Sequence, residues 1–152
     1  MIDLVIFDCD GVLVDSERLT TRVEARVLGE LGWALPVEEV VARWMGRTSD
    51  AQLRDVADRL GADAAGAFDE QTTRELHAAF ETELTAVEGV EDLLDRLGSA
   101  GIATCVASSG SHERMGVTLR VTGLEGRFTG RIFSGTEVAH GKPAPDLFLH
   151  AA

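Results

Sequence analysis

The apolar run Leu4-Val5-Ile6-Phe7 ends abruptly in Asp8-Cys9-Asp10-Gly11. A short apolar run of this kind suits a strand buried in a parallel sheet. Past Asp8 the chain leaves the sheet, so both carboxylates can point into the crevice beyond the strand's carboxyl end. Open α/β sheets bind their ligands there. Two acids in one crevice repel each other and need a counter-charge. A hard divalent cation with oxygen ligands, Mg2+ above all, supplies one. An aspartate so neutralised is able to act as a nucleophile. A plain acidic turn after a strand uses the same residues, so the segment does not decide by itself.

Two later segments have matching chemistry. Ile102-Ala103-Thr104-Cys105-Val106-Ala107 reads as a second apolar strand, followed by Ser108-Ser109-Gly110-Ser111 and a helical stretch from about His112 to Val121. A turn of small hydroxyl residues and glycine that opens a helix presents backbone N–H groups and a positive dipole end to an anion. An ordinary serine N-cap has the same composition. The third segment, Gly141-Lys142-Pro143-Ala144-Pro145-Asp146, follows a short strand over Thr129-Gly130-Arg131-Ile132-Phe133-Ser134. Its two prolines stiffen the backbone beside one lysine, and Pro145 or its neighbour suits a helix start. Lys142 is thus a candidate to set a positive charge beside the acids.

Between the first two strands the pattern is helical throughout. Leu19, Val23, Val27, Leu28 and Leu31 fall on one face of a helix that begins at Ser16 and ends at Gly32. Further helices are expected from Pro36 to Met45, from a cap at Ser49 or Asp50 to Leu60, and from about Phe68 to Leu84 after an Ala/Gly-rich linker. Val90 to Leu97 then forms a helix leading into the second strand. Alternating helices and strands around an all-helical insert give an α/β fold. Its Rossmann-like parallel sheet core comprises residues 1–15 and 87–152, and its helical cap comprises residues 16–86.

The three segments, in this order and spacing, resemble the haloacid dehalogenase superfamily, in its branch of small phosphatases and phosphomutases with a helical cap. Asp15-Ser16-Glu17 and Gly46-Arg47-Thr48 add matches in the cap region. The resemblance implies that Asp8 is the nucleophile taking the phosphoryl group. Asp10 is implied as general acid for the leaving oxygen and then base for the attacking water. Ser108, with Ser109 and Gly110, is implied to bind phosphoryl oxygens, and Lys142 to bridge the phosphoryl group and the nucleophile. Mg2+ is the implied cofactor, held by Asp8 and by Asp10, the latter through its backbone carbonyl. Substrate choice is implied to lie in the cap, where Gly46 and Arg47 are candidates and Arg47 suits a polar or anionic part of the substrate.

The same family carries a fourth, acidic motif some tens of residues beyond the lysine. The chain ends at Leu147-Phe148-Leu149-His150-Ala151-Ala152, before that point. On this expectation the chain is a C-terminally truncated piece of a longer enzyme, its sheet core incomplete and its first strand an exposed edge. Weak activity or none is then expected of the piece alone.

Composition narrows the function classes. A net charge of −12 and a pI near 4.6 argue against nucleic acid as a partner, since its phosphates need basic neutralisation. With 5% aromatics and no Tyr, base-stacking platforms are scarce. No run reaches a membrane span, and Met1-Ile2-Asp3 lacks the basic start of a signal peptide. Two cysteines make no disulfide framework; Cys9 and Cys105 suit buried thiols in a reducing cytoplasm. Carboxylates on either side should keep Cys9 protonated and non-nucleophilic. Trp33 and Trp44 read as cap core, His77 and His140 as surface residues, and His112 as close enough in sequence to the serine turn to approach the site.

The leading expectation is therefore a Mg2+-dependent phosphatase of small phosphorylated metabolites. A sugar-phosphate mutase uses the same groups. A receiver-like phospho-acceptor shares the strand-end acids, hydroxyl and lysine but has no helical insert. A dehalogenase lacks the acid found at Asp10. A non-catalytic piece that binds Mg2+ or phosphate weakly is the remaining alternative.

Overall fold

The apolar runs become three short parallel strands. In the computed structural model, which describes residues 2–152, the elements in chain order are β1 (Leu4–Phe7), α1 (Ser16–Glu30), α2 (Val37–Trp44), α3 (Ser49–Leu60), α4 (Ala62–Glu83), α5 (Val90–Ser99), β2 (Ala103–Ser108), α6 (His112–Val121), β3 (Ile132–Ser134) and α7 (Asp146–Ala151). The strand order is β1-β2-β3, and β1 lies at an edge, as expected. Leu4 pairs with Ala103 and Phe7 with Val106; Val106 pairs with Ile132 and Ser108 with Ser134. This register brings the carboxyl ends of all three strands to one side of the sheet, where Asp8, Ser108 and Ser134 emerge.

Alternation along the strands assigns the two faces. Leu4, Ile6, Cys105 and Ala107 pack with Leu147 and Ala151 of α7. Phe7 points the other way and meets Phe128 edge to face, with ring centroids 6.2 Å apart. Phe128 is fully buried, as are Met115 and Leu119 of α6. A parallel sheet covered by helices is the α/β arrangement anticipated.

The chain divides into two compact units. One joins the residues up to Ser16 with Glu83–Ala152; the other is the all-helical Glu17–Thr82. The division falls inside the 16–86 block read from sequence, because both connectors belong with the sheet. Asp15 donates to Thr85 O at 2.9 Å, Val87 donates to Leu13 O at 3.0 Å, and Val14 bridges Ala86 antiparallel. Entry and exit of the insert are thus hydrogen-bonded to each other.

Within the helical unit Val23, Val27, Leu28, Val40, Val56, Phe68, Leu76 and Phe80 are buried, and Leu31 is half-buried. Trp44 is buried too, packing edge to face on Phe68 and Trp33 and donating from Nε1 to Asp55 at 2.9 Å. Two sequence expectations are corrected. The segment expected as an Ala/Gly-rich linker is the first part of the 22-residue α4, since alanine is the best helix former and one glycine at 66 is tolerated. The cap of α3 is Thr48, whose Oγ1 accepts from Ala51 N at 3.3 Å, and neither Ser49 nor Asp50. Among the described residues no helix is long and apolar enough to cross a membrane.

One carboxyl in this unit is out of place on the apolar face of α1. Glu24 is 5% exposed, and burial pushes its pKa up from 4.5 to about 7 against the opposing hydrogen bond from Gln52. A carboxyl that binds its proton more tightly when folded gives stability that falls as pH rises. The loss begins near pH 4.5 and is complete above about 7, reaching roughly 3 kcal/mol. Glu24→Gln should therefore unfold at a higher temperature than the parent at pH 8 and match it at pH 4.5. Equal melting temperatures at pH 8 would mean that Glu24 is solvated when ionised.

Candidate active site

The first acid pair is aimed by the turn that follows β1. Gly11 takes φ +71°, and the backbone N–H groups of Val12, Leu13 and Val14 all donate to Cys9 O, at 3.3, 2.9 and 3.2 Å. Cys9, Leu13 and Val14 are fully buried and anchor the turn. Asp8 and Asp10 flank the inward-pointing Cys9 and so face outward together, with side chains 42% and 31% exposed.

Each acid has its own partners. Lys142 Nζ lies 2.9 Å from Asp8 Oδ2, while Asp8 Oδ1 accepts the Cys9 N–H at 2.8 Å. Asp10 Oδ1 accepts Ser16 Oγ at 2.7 Å and Arg114 Nη2 at 3.0 Å. Lys142 is only 21% exposed, and its ammonium also sits over the Phe148 ring at 5.3 Å. The proline-flanked loop and the start of α7 thus place the one lysine of the chain against the nucleophile candidate.

The turn after β2 closes on the same place. Ser108 is 2% exposed, and its Oγ accepts the Gly110 N–H at 3.1 Å. A methyl group added at Gly110 would lie 3.5 Å from Ser108 Oγ and 3.7 Å from Asp10 Oδ2, so this turn lies beside the acid. Beneath it, Ser134 Oγ donates to Gly110 O at 2.7 Å. A methyl group on Gly135 would lie 3.3 Å from Ser109 Cα. The end of β3 therefore buttresses the serine turn. Ser111 caps α6 by accepting the Arg114 N–H at 3.2 Å.

Charge follows this geometry. Burial, then Asp10, pushes the Cys9 thiol up to about 11 against a bond from Thr118, so Cys9 stays a protonated core residue. The Ser134 N–H holds the Glu137 carboxyl below the usual carboxylate range, with His112 adding to the effect. His112 Nε2 pairs with Glu137 at 3.1 Å, so its partner is this carboxylate and neither acid of the pair. His77 and His140 are exposed, as expected, facing Glu81 and Asp146.

Of the residues picked out from sequence, the fold brings Asp8 to Lys142 and sets Asp10 and Ser108 both beside Gly110. Ser109 packs on Gly135. Gly46 and Arg47 are exposed in the α2–α3 loop of the helical unit, where Gly46 takes φ +76° and ends the helix. Sequence reasoning missed Arg114 and Ser134. Arg114 had a usable signal, three positions after the serine that caps a helix leaving the candidate site. Ser134 had none, since a serine ending a short strand is commonplace.

The arrangement suits an oxyanion. A lysine and a small-residue turn supply positive potential beside two strand-end carboxylates. Hard oxygen donors come from Asp8 and Asp10; among the described residues no three His, Cys, Asp or Glu side chains cluster to hold a metal. Mg2+ commonly takes one or two carboxylates and completes its shell with carbonyl, water and phosphate oxygens, so the Asp8 carboxylate and the backbone beside it fit it.

Comparison with known proteins identifies the family. A family model, haloacid dehalogenase-like hydrolase, matches residues 2–152. The 6-phosphogluconate phosphatase of Escherichia coli (strain K12) is 34% identical over 152 residues, covering 99% of this chain and 67% of that protein. Hexitol phosphatase A of the same strain is 35% identical over 150 residues, covering 97% and 66%. A haloacid dehalogenase-like protein of unknown function from Agrobacterium tumefaciens str. C58 superposes with a TM-score of 0.88 at 34% identity, covering 100% of this chain and 68% of that one. An HAD family hydrolase from Deinococcus radiodurans R1, solved with bound phosphate and sodium, gives 0.81 at 33% identity, covering 99% and 66%. The chain spans about two thirds of the length of these relatives. Strand-end acids, serine turn and lysine thus sit on a fold and in a sequence shared with one group of enzymes, and the chain belongs to the haloacid dehalogenase-like hydrolases.

Proposed function

We propose that this chain carries the catalytic groups of a Mg2+-dependent phosphatase acting on small phosphorylated sugar acids or sugar alcohols. The observation that carries the reading is the 2.9 Å pairing of Lys142 with Asp8 beside Asp10 and the Ser108–Gly110 turn. The names of the two Escherichia coli relatives support the substrate class.

In this mechanism the Asp8 carboxylate attacks phosphorus, and the bond from phosphorus to the substrate's oxygen breaks. Asp10 gives that oxygen a proton. Water then attacks the aspartyl-phosphate, Asp10 takes its proton, and the phosphorus–Asp8 bond breaks to release inorganic phosphate. Lys142 and Ser108 hold phosphoryl oxygens through both steps, which need positioning and charge neutralisation above all. Mg2+, held by Asp8 and the Asp10 carbonyl, would supply charge stabilisation. The helical unit, with Arg47 exposed in its α2–α3 loop, is assigned the choice of substrate.

The test is phosphate release by the purified chain from a panel of phosphorylated sugar acids, sugar alcohols and an aryl phosphate. The expected result is weak turnover that requires Mg2+, stops on chelation and favours the polyol phosphates. Isomerisation of a sugar phosphate without phosphate release would replace this reading with a mutase.

A further inference from the structure

The hydrogen bonds to Asp10 are asymmetric. Oδ1 accepts both Ser16 Oγ and Arg114 Nη2, at 2.7 and 3.0 Å, whereas Oδ2 faces the glycine of the serine turn. Two donors on one oxygen fix the rotation of a carboxylate and leave the other oxygen toward the crevice. Arg114 is well anchored for this. It lies in the first turn of α6, its backbone N–H is held by the Ser111 cap, and its neighbour Met115 is fully buried. Its Cδ lies 3.7 Å from where a Gly110 side chain would begin, so its stem also walls the turn.

Stability does not account for the pair. The two side chains are 37% and 31% exposed, and ion pairs that solvated contribute about 0–1 kcal/mol. Direction is what the pair supplies. We propose that Arg114 is the positioning residue for Asp10, holding Oδ1 so that Oδ2 is the oxygen offered to the leaving group and to water. The proposal rests on the reading of Asp10 as the residue that exchanges a proton with both.

Displacement of a catalytic group by about 1 Å can cost roughly 100-fold in rate, which sets the expected effect. Arg114→Ala should lower kcat on an aryl phosphate by roughly 10- to 100-fold and leave KM within about threefold. Arg114→Lys, which keeps a donor for Oδ1, should recover most of the loss. In an Asp10→Asn background the Arg114→Ala change should add less than about twofold, since the residue it positions is already disabled. Crystal structures of the parent and of Arg114→Ala give a readout independent of turnover: the Asp10 carboxylate should hold one rotamer in the first and spread over several in the second. A rise in KM at constant kcat would overturn the proposal and make Arg114 a substrate contact. An unchanged Asp10 rotamer in Arg114→Ala would overturn it as well, leaving Ser16 as the sole orienter. Phosphate release unaffected by Asp10→Asn would overturn the reading of Asp10 itself, whereas with a parent too weak to assay the two crystal structures alone decide whether Arg114 holds Asp10.

Discussion

Asp8→Asn is expected to abolish phosphate release, by at least ~1,000-fold, while leaving the fold intact. Asparagine has nearly the same shape, and its carbonyl oxygen can still accept the Cys9 N–H that Asp8 accepts at 2.8 Å. What disappears is the charge that faces Lys142 at 2.9 Å and the nucleophilic oxygen. Because that ion pair is partly solvated, its loss should cost no more than about 1 kcal/mol of stability. The variant should therefore melt close to the parent. Labelled substrate should leave hydroxylamine-sensitive label on the parent and none on the variant. Residual turnover within tenfold of the parent would exclude Asp8 as nucleophile and turn attention to direct attack by water.

The second large effect is on stability. Phe128→Ala should destabilise the sheet unit by about 3–5 kcal/mol. Phe128 is the largest of the fully buried side chains and packs edge to face on Phe7, the residue that precedes Asp8. Removing the ring leaves a cavity against β1 in a unit whose total stability is on the order of 5–15 kcal/mol. Phe128→Leu should cost much less, since most of the volume remains. Denaturant midpoints at unchanged slope would measure both. A loss under about 1 kcal/mol for the alanine variant would mean that the site collapses to fill the space.

The parts of this molecule that were legible in its sequence are those in which local pattern and tertiary role coincide. The run Leu4–Phe7 is a strand both because its residues favour one and because β2 pairs with it along its whole length. The stretch from His112 to Val121 was bounded correctly because a serine cap and a following Thr-Gly pair mark both of its ends. Asp8, Asp10, Ser108 and Lys142 stood out because their spacing resembles a known group of enzymes. The start of α4 was misread because alanines beside glycine give no periodic signal, and burial of Ala65 and Phe68 decides the matter only in three dimensions. Arg114 and Ser134 escaped for a related reason. Their importance lies in reaching across to Asp10 and Gly110, which are 104 and 24 residues away in sequence. The burial of Glu24 depends on neighbours that no helical period names.

The clamp of Leu13–Asp15 on Thr85–Val87 has an evolutionary reading. To the sheet, everything between these connectors is a single excursion whose two ends are already tied together. The entropic cost of such an excursion grows only with the logarithm of its length, about 0.6 kcal/mol per doubling. Helices can be added there, deleted or exchanged wholesale with little penalty for the strands and loop that aim Asp8, Ser108 and Lys142. On the proposed division of labour, chemistry and selectivity are separately heritable: a lineage can change what it recognises by rewriting one insertion, without reopening the question of how it reacts.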